Sequence, residues 1–125
     1  MMEKRYPEYH DHLRGLTAKL GKELPGVVSG FRMLYKETLA DGALDTKIKE
    51  LIALATGVTA GCEGCIASHV RAARRAGATR QEILEAIGVA VLMGGGPAMV
   101  YGSHALEALE QFEARERALV GGVRT

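Results

Sequence analysis

The chain has 125 residues, 47% of them hydrophobic and 25% charged, with a net charge of +1 and its acids and bases interspersed. That is enough apolar material for one globular domain over residues 1–125, and no basic block joins aromatic residues as a single-strand binder requires, so nucleic acid is not expected as a partner. Met1-Met2-Glu3-Lys4-Arg5 runs into polar residues without an apolar h-region, so no secretory signal is expected and the chain reads as cytoplasmic.

Helical periodicity runs throughout. Pro7 suits the first turn of a helix reaching about Leu20, with Leu13, Leu16 and Leu20 on its apolar side. Leu24-Pro25-Gly26 interrupts. A second helix from about Val27 to Leu39 carries Val27, Phe31, Leu34 and Tyr35 on one side and is ended by Asp41-Gly42. Asp45 or Thr46 caps a third within Leu44 to Thr59, whose Ile48, Leu51, Ile52 and Ala55 follow the i, i+3, i+4, i+7 pattern. A helix through the cysteines ends with Arg71, Arg74 and Arg75 ahead of Gly77. Thr79-Arg80-Gln81-Glu82 has the form of a capping box, so a fifth helix starts at about Arg80 and passes through Ile83, Leu84, Ile87, Val91 and Leu92 until Gly94-Gly95-Gly96 ends it. Pro97 opens a last helix through Tyr101, Leu106, Leu109 and Phe112, with Glu113 to Arg117 solvated and Val120 to Thr125 a frayed tail. The expected fold class is all-α, with about six helices.

Ala86 to Ser103 contains no charged residue. The glycine cluster breaks it into halves too short to span a bilayer, so no membrane association is expected; a segment apolar on all sides needs cover from subunit contacts as well as from the core. The same cluster lacks the lysine and the serine or threonine of a phosphate-binding loop and follows no strand, so it reads as a turn.

Chemistry concentrates in Cys62-Glu63-Gly64-Cys65-Ile66-Ala67-Ser68-His69. On a helix, positions 62, 65 and 69 lie within roughly 60° of one another, so two sulfurs and an imidazole line one stripe, and thiols at i and i+3 can close a disulfide. Gly57 and Gly61 could turn the chain back so that Glu50 faces that stripe. A helix N-terminus favours thiolate, and His69 is placed to exchange a proton with Cys65. Other readings of the same residues are a pair of packed small hydrophobes, or a zinc site drawing on Cys62, Cys65, His69 and Glu50. Glu50 could equally be a solvated partner of Lys47 or Lys49, and His69 a surface histidine. His104 is assigned to core or interface, and His10 and His12 to a solvated amino-terminal helix.

Glu50, eleven residues, Cys62-x-x-Cys65, three residues and His69 resemble the core motif of the AhpD-like alkylhydroperoxidases, in the carboxymuconolactone decarboxylase superfamily. The likeness extends from about Pro25 to about Phe112. It implies a helical subunit in a homo-oligomer, trimer or hexamer, with neither metal nor other cofactor. It also implies a hydroperoxide substrate and an external dithiol reductant, a thioredoxin-like or lipoyl protein. Carried over by residue, Cys65 is the peroxidatic thiolate, Cys62 the resolving cysteine, and Glu50 with His69 the proton relay. The chain departs from the pattern at Gly64, where the best-known members carry histidine. Alternatives within the same resemblance are a general disulfide reductase using the same pair and a lactone decarboxylase; a non-enzymatic zinc or scaffold protein lies outside it.

Overall fold

The computed structural model describes residues 3–124, the side chains of 122–124 excepted. Six helices follow in order: α1 Tyr6–Glu23, α2 Pro25–Leu39, α3 Thr46–Ala60, α4 Glu63–Arg75, α5 Arg80–Gly94 and α6 Gly96–Arg124, and the described residues contain no strand. The all-α expectation is met.

Local chemistry accounts for most of the boundaries. Asp45 is the N-cap of α3 and accepts from the Ile48 amide at 2.9 Å. Thr79 and Glu82 form the full capping box, Glu82 N–H to Thr79 Oγ1 at 3.1 Å and Thr79 N–H to Glu82 Oε1 at 2.8 Å. Gly61 ends α3 at φ 68°, a left-handed conformation that glycine adopts without penalty, and a Cβ there would also strike the Tyr101 ring at 2.9 Å.

Two boundaries differ from expectation. Helix α2 begins at Pro25 rather than Val27, because proline at the first helical position has its φ already set and lacks an N–H that would go unbonded anyway. Helix α6 continues through Arg124 across the expected tail, of which Thr125 lies outside the described residues. Its expected solvated stretch is tied down: Arg74 holds Glu116 at 2.8 Å, and Arg80 pairs with Glu113.

Helix α3 is the centre of the bundle, packed on α4, α5 and α6, while α4 also lies against α1. Leu54, Ile66, Ile83 and Leu109 are wholly buried, one from each of α3 to α6; each such side chain contributes about 1.5–3 kcal/mol of transfer free energy. Ala67, Ala73, Ala105 and Ala108 are wholly buried in the same core. The amino terminus is fastened to α6 by Gln111, whose Oε1 accepts from Tyr6 N–H at 2.7 Å and whose Nε2 donates to Lys4 O at 2.7 Å.

The apolar side expected of α2 is not in this core. Val27, Phe31 and Leu34 are more than half exposed, and Val28 is the residue of α2 that is buried. In the uncharged segment, Val89, Leu92, Met93, Met99 and Val100 are likewise exposed on the single chain. The interior has room for one stripe of each helix, and these residues lie outside it. No helix among the described residues is long and apolar enough to cross a membrane.

Candidate functional site

Cys62 is the N-cap of α4, with extended backbone (φ −103°, ψ 98°), and Cys65 lies in the first turn. This places Cys62 just outside the helix rather than on its stripe. Its Sγ still turns back, accepting from the Cys65 N–H at 3.2 Å, and the two sulfurs form a disulfide with Cα atoms 5.2 Å apart. The unpaired amides and the positive end of the helix dipole therefore lie at the sulfurs, an environment that favours thiolate once the bond is reduced. Cys62 N–H donates to Gly57 O at 3.0 Å, anchoring the loop to the end of α3. Gly57 lies so close that a Cβ on it would be 3.0 Å from Cys65 Cβ.

Glu50 of α3 is 5% exposed and meets His69 of α4 across the helix pair, Oε1 to Nδ1 at 2.6 Å. The solvated-partner reading of Glu50 does not hold, since Lys47 pairs with Glu82 and Lys49 donates to Ala40 O. Nor is His69 a surface residue, its side chain being 14% exposed. With the carboxylate accepting, the imidazole carries hydrogen on Nδ1 and keeps Nε2 as its basic nitrogen. Cys65 and His69 are one turn apart on α4, so the acid–imidazole pair and the disulfide share one helix face. Among the described residues no group of three or more His, Cys, Asp or Glu is arranged to hold a metal ion.

Tyr35 was expected only as part of an apolar helix face, yet its ring stacks on His69, centroids 6.0 Å apart and planes at 14°. Burial and the Glu50 carboxylate push its phenol above the ordinary value, partly offset by the nearby Ser68 hydroxyl. Nothing in the spacing of Tyr35 signals this, because the contact joins α2 to α4 across most of two intervening segments.

At Gly64, a Cβ would come within 2.9 Å of Leu13 Cδ1, so α1 occupies the space a side chain there would need. Glu63 is paired with Lys4 and accepts from the Tyr6 hydroxyl at 3.4 Å; the Lys4 bond is the main cause holding its carboxyl below the ordinary range. His10, expected in solvent, is buried, whereas His12 is exposed as expected. Docking of α1 on α4 makes that difference. His104 packs between Tyr101 and Tyr6, ring centroids 5.8 and 6.4 Å away.

Residues 25–111 match the model of the carboxymuconolactone decarboxylase family. An uncharacterised protein of Cupriavidus necator is 38% identical over 95 residues, covering 76% of this chain and 84% of its own. One from the cox locus of Paracoccus denitrificans is 40% identical over 99 residues, covering 79% and 86%. Among solved structures, a ligand-free carboxymuconolactone decarboxylase family protein of Legionella pneumophila superposes with a TM-score of 0.84 at 43% identity, over 88% of this chain and 98% of that one. A family member from Thermotoga maritima, for which a part in the antioxidative response has been suggested, gives 0.77 at 28% identity over 92% and 95%.

Proposed function

The chain belongs to the carboxymuconolactone decarboxylase family, and from that premise we propose that it is a thiol-dependent peroxidase that reduces hydroperoxides through Cys62 and Cys65. The observation that carries this reading is the Cys62–Cys65 disulfide at the start of α4, with the buried Glu50–His69 pair one turn further along the same helix. A helical scaffold has no use for an acid–imidazole pair beside a reducible bond.

In the reduced protein the Cys65 thiolate attacks the distal oxygen of the hydroperoxide. The O–O bond breaks, the alcohol leaves with a proton relayed from His69 and Glu50, and Cys65 becomes a sulfenic acid. Cys62 as thiolate attacks that sulfur, hydroxide leaves and is protonated to water, and the disulfide forms. An external dithiol, a thioredoxin-like or lipoyl protein, then reduces it, its own sulfurs being oxidised in exchange. One hydroperoxide and one dithiol give alcohol, water and one disulfide. In a reducing cytoplasm, where this chain is proposed to work, the Cys62–Cys65 bond is a catalytic intermediate rather than a staple.

The working unit is a homo-oligomer, trimer or hexamer, a reading supported by the exposed Phe31, Leu34, Leu92 and Met93. A second reading, disulfide reduction by the same pair, is favoured by one observation: Leu13 fills the space at Gly64 where relatives of the peroxidase type carry another proton-transfer group.

The test is titration of the reduced, metal-free protein with one equivalent of cumene hydroperoxide, with free thiols and intact mass followed. Loss of two thiols and two hydrogens per chain, reversed by a dithiol and abolished in Cys65→Ser, is expected. Faster turnover of a small disulfide than of the peroxide would transfer the assignment to the second reading, and inert thiols would end both.

A further inference from the structure

Three helices converge on the His69 imidazole. The backbone of α4 carries it, Glu50 of α3 meets Nδ1 at 2.6 Å, and the Tyr35 ring of α2 lies against its face, centroids 6.0 Å apart and planes within 14° of parallel. Side chains on a helix lean toward its N-terminus, so the imidazole leans toward the turn that carries Cys65. One hydrogen bond fixes one atom of a ring and leaves the ring free to pivot about that bond. Such a pivot takes Nε2, the basic nitrogen, off the line to the sulfur it serves, and small misplacements of this kind are costly in rate. A parallel ring against the imidazole face opposes it.

Tyr35 is placed differently from its neighbours on α2. Val27, Phe31 and Leu34 face solvent, whereas Tyr35 is turned toward α3 and α4, where Glu50 and Ser68 act on its phenol. Phe31, one turn earlier on the same helix, packs on the Tyr35 ring with centroids 6.5 Å apart, which limits the ring's own freedom. Exposure falls along this row, from 63% at Phe31 through 38% at Tyr35 to 14% for the His69 side chain. Burial first, and then the Glu50 carboxylate, hold the phenol in its protonated form, so it is a poor source of the proton that the relay moves. What Tyr35 brings to His69 is its ring.

We propose that Tyr35 is a positioning residue of the redox centre, its ring holding the His69 imidazole in the orientation that keeps Nδ1 on Glu50 and Nε2 available to Cys65. The proposal rests on the peroxidase reading for the reaction that His69 assists, and it adds no step to that reaction. Phenylalanine serves equally well at this position, and an aliphatic side chain does not.

The test compares the full chain with Tyr35→Phe, which keeps the ring, and Tyr35→Leu, which keeps apolar bulk without it. Tyr35 lies outside the buried core, and circular dichroism checks that both variants keep their helix content. In the first arm the histidine nitrogens of the oxidised proteins are followed by NMR at mildly alkaline pH, with His69→Gln assigning the signals. Wild type and Tyr35→Phe are expected to show one protonated and one bare His69 nitrogen, well separated in shift. In Tyr35→Leu the two shifts are expected to converge as the tautomers interchange. In the second arm the reduced proteins receive cumene hydroperoxide and thiol loss is timed. Tyr35→Phe is expected to react within about twofold of wild type and Tyr35→Leu about tenfold or more slower. In a Glu50→Gln background the same Leu substitution is expected to cost less than about twofold, because the ring acts through the pair. A fixed tautomer in Tyr35→Leu, an equal loss of rate in the Phe and Leu variants, or the full Leu loss repeated in the Glu50→Gln background overturns the positioning role and leaves the peroxidase reading standing. Thiols inert to peroxide in every protein, with the His69 tautomer still dependent on the ring, end the peroxidase reading and leave Tyr35 as the residue that positions His69.

Discussion

Glu50 and His69 make a contact that costs desolvation and must be satisfied from within, since Glu50 is buried and the His69 side chain is 14% exposed. Replacing Glu50 by Gln keeps the shape and an acceptor while removing the carboxylate from the proposed proton relay. Peroxide-driven thiol loss in Glu50→Gln is expected to slow by about 10²-fold or more, the usual scale of general acid–base assistance, with unfolding by urea little changed. Stopped-flow thiol counting checks it, and a wild-type rate would reduce Glu50 to a packing residue. The position of Glu50 was legible through its spacing to the cysteines. Tyr35 was not, because stacking on His69 depends on how α2 lies over α4, and a tyrosine among Val27, Phe31 and Leu34 reads as one more apolar residue. His10 misled for the same reason: charged neighbours in the chain suggest solvent, but burial is decided by the helix that docks.

At the scale of elements, the junction of α3 with α4 is held by glycine. Gly57→Ala would drive a methyl into Cys65 Cβ, 3.0 Å away, and is expected to destabilise the fold by about 1–3 kcal/mol, as overpacking does, seen as a lower urea midpoint at unchanged slope. A neutral outcome would show that α4 can move away from α3 without cost. The start of α4 is also tied to the amino terminus electrostatically. Glu63, held below its ordinary pKa chiefly by its bond to Lys4, stabilises the folded state at pH values above the ordinary carboxylate range. That contribution is lost as pH falls through the depressed folded value, because the unfolded chain then binds the proton more readily. After discounting for solvent screening of a side chain about one-third exposed, it is roughly 0.5 kcal/mol, so Glu63→Gln is expected to flatten the acid side of the stability–pH curve by about that amount while leaving its slope above pH 6 unaltered. Parallel acid limbs for the two proteins would assign the ion pair no net weight. Caps and breaks were the most readable features of these elements, since Asp45, Thr79 with Glu82, Gly61 and Pro97 act on backbone groups within a turn of themselves. The length of α6 was less so: Arg74 and Arg80 from other helices hold Glu116 and Glu113, and the helix runs on past them to Arg124.

For the whole molecule the question is what covers Leu92, 79% exposed, and Met93, 74% exposed, in a stretch with no charge. With Val89 one turn before them, side chains of this size form a face that solitary chains rarely present to water. Sedimentation at micromolar concentration is expected to give a multiple of the 13.4 kDa chain, and Leu92→Glu is expected to shift it toward the single chain with helix content retained. A wild-type protein that sediments as one chain would remove the oligomer from the proposal. By itself the sequence determined the helical class and the caps and turns, and it singled out Glu50, Cys62, Cys65 and His69 as candidates, because periodicity, capping and motif spacing are local and survive in one dimension. Only the tertiary structure decided that Glu50 reaches His69, that Tyr35 stacks on it, that Leu13 fills the space at Gly64, and which apolar stripes are left uncovered. Those are contacts between helices, and their geometry is set by how side chains far apart in the chain share one interior.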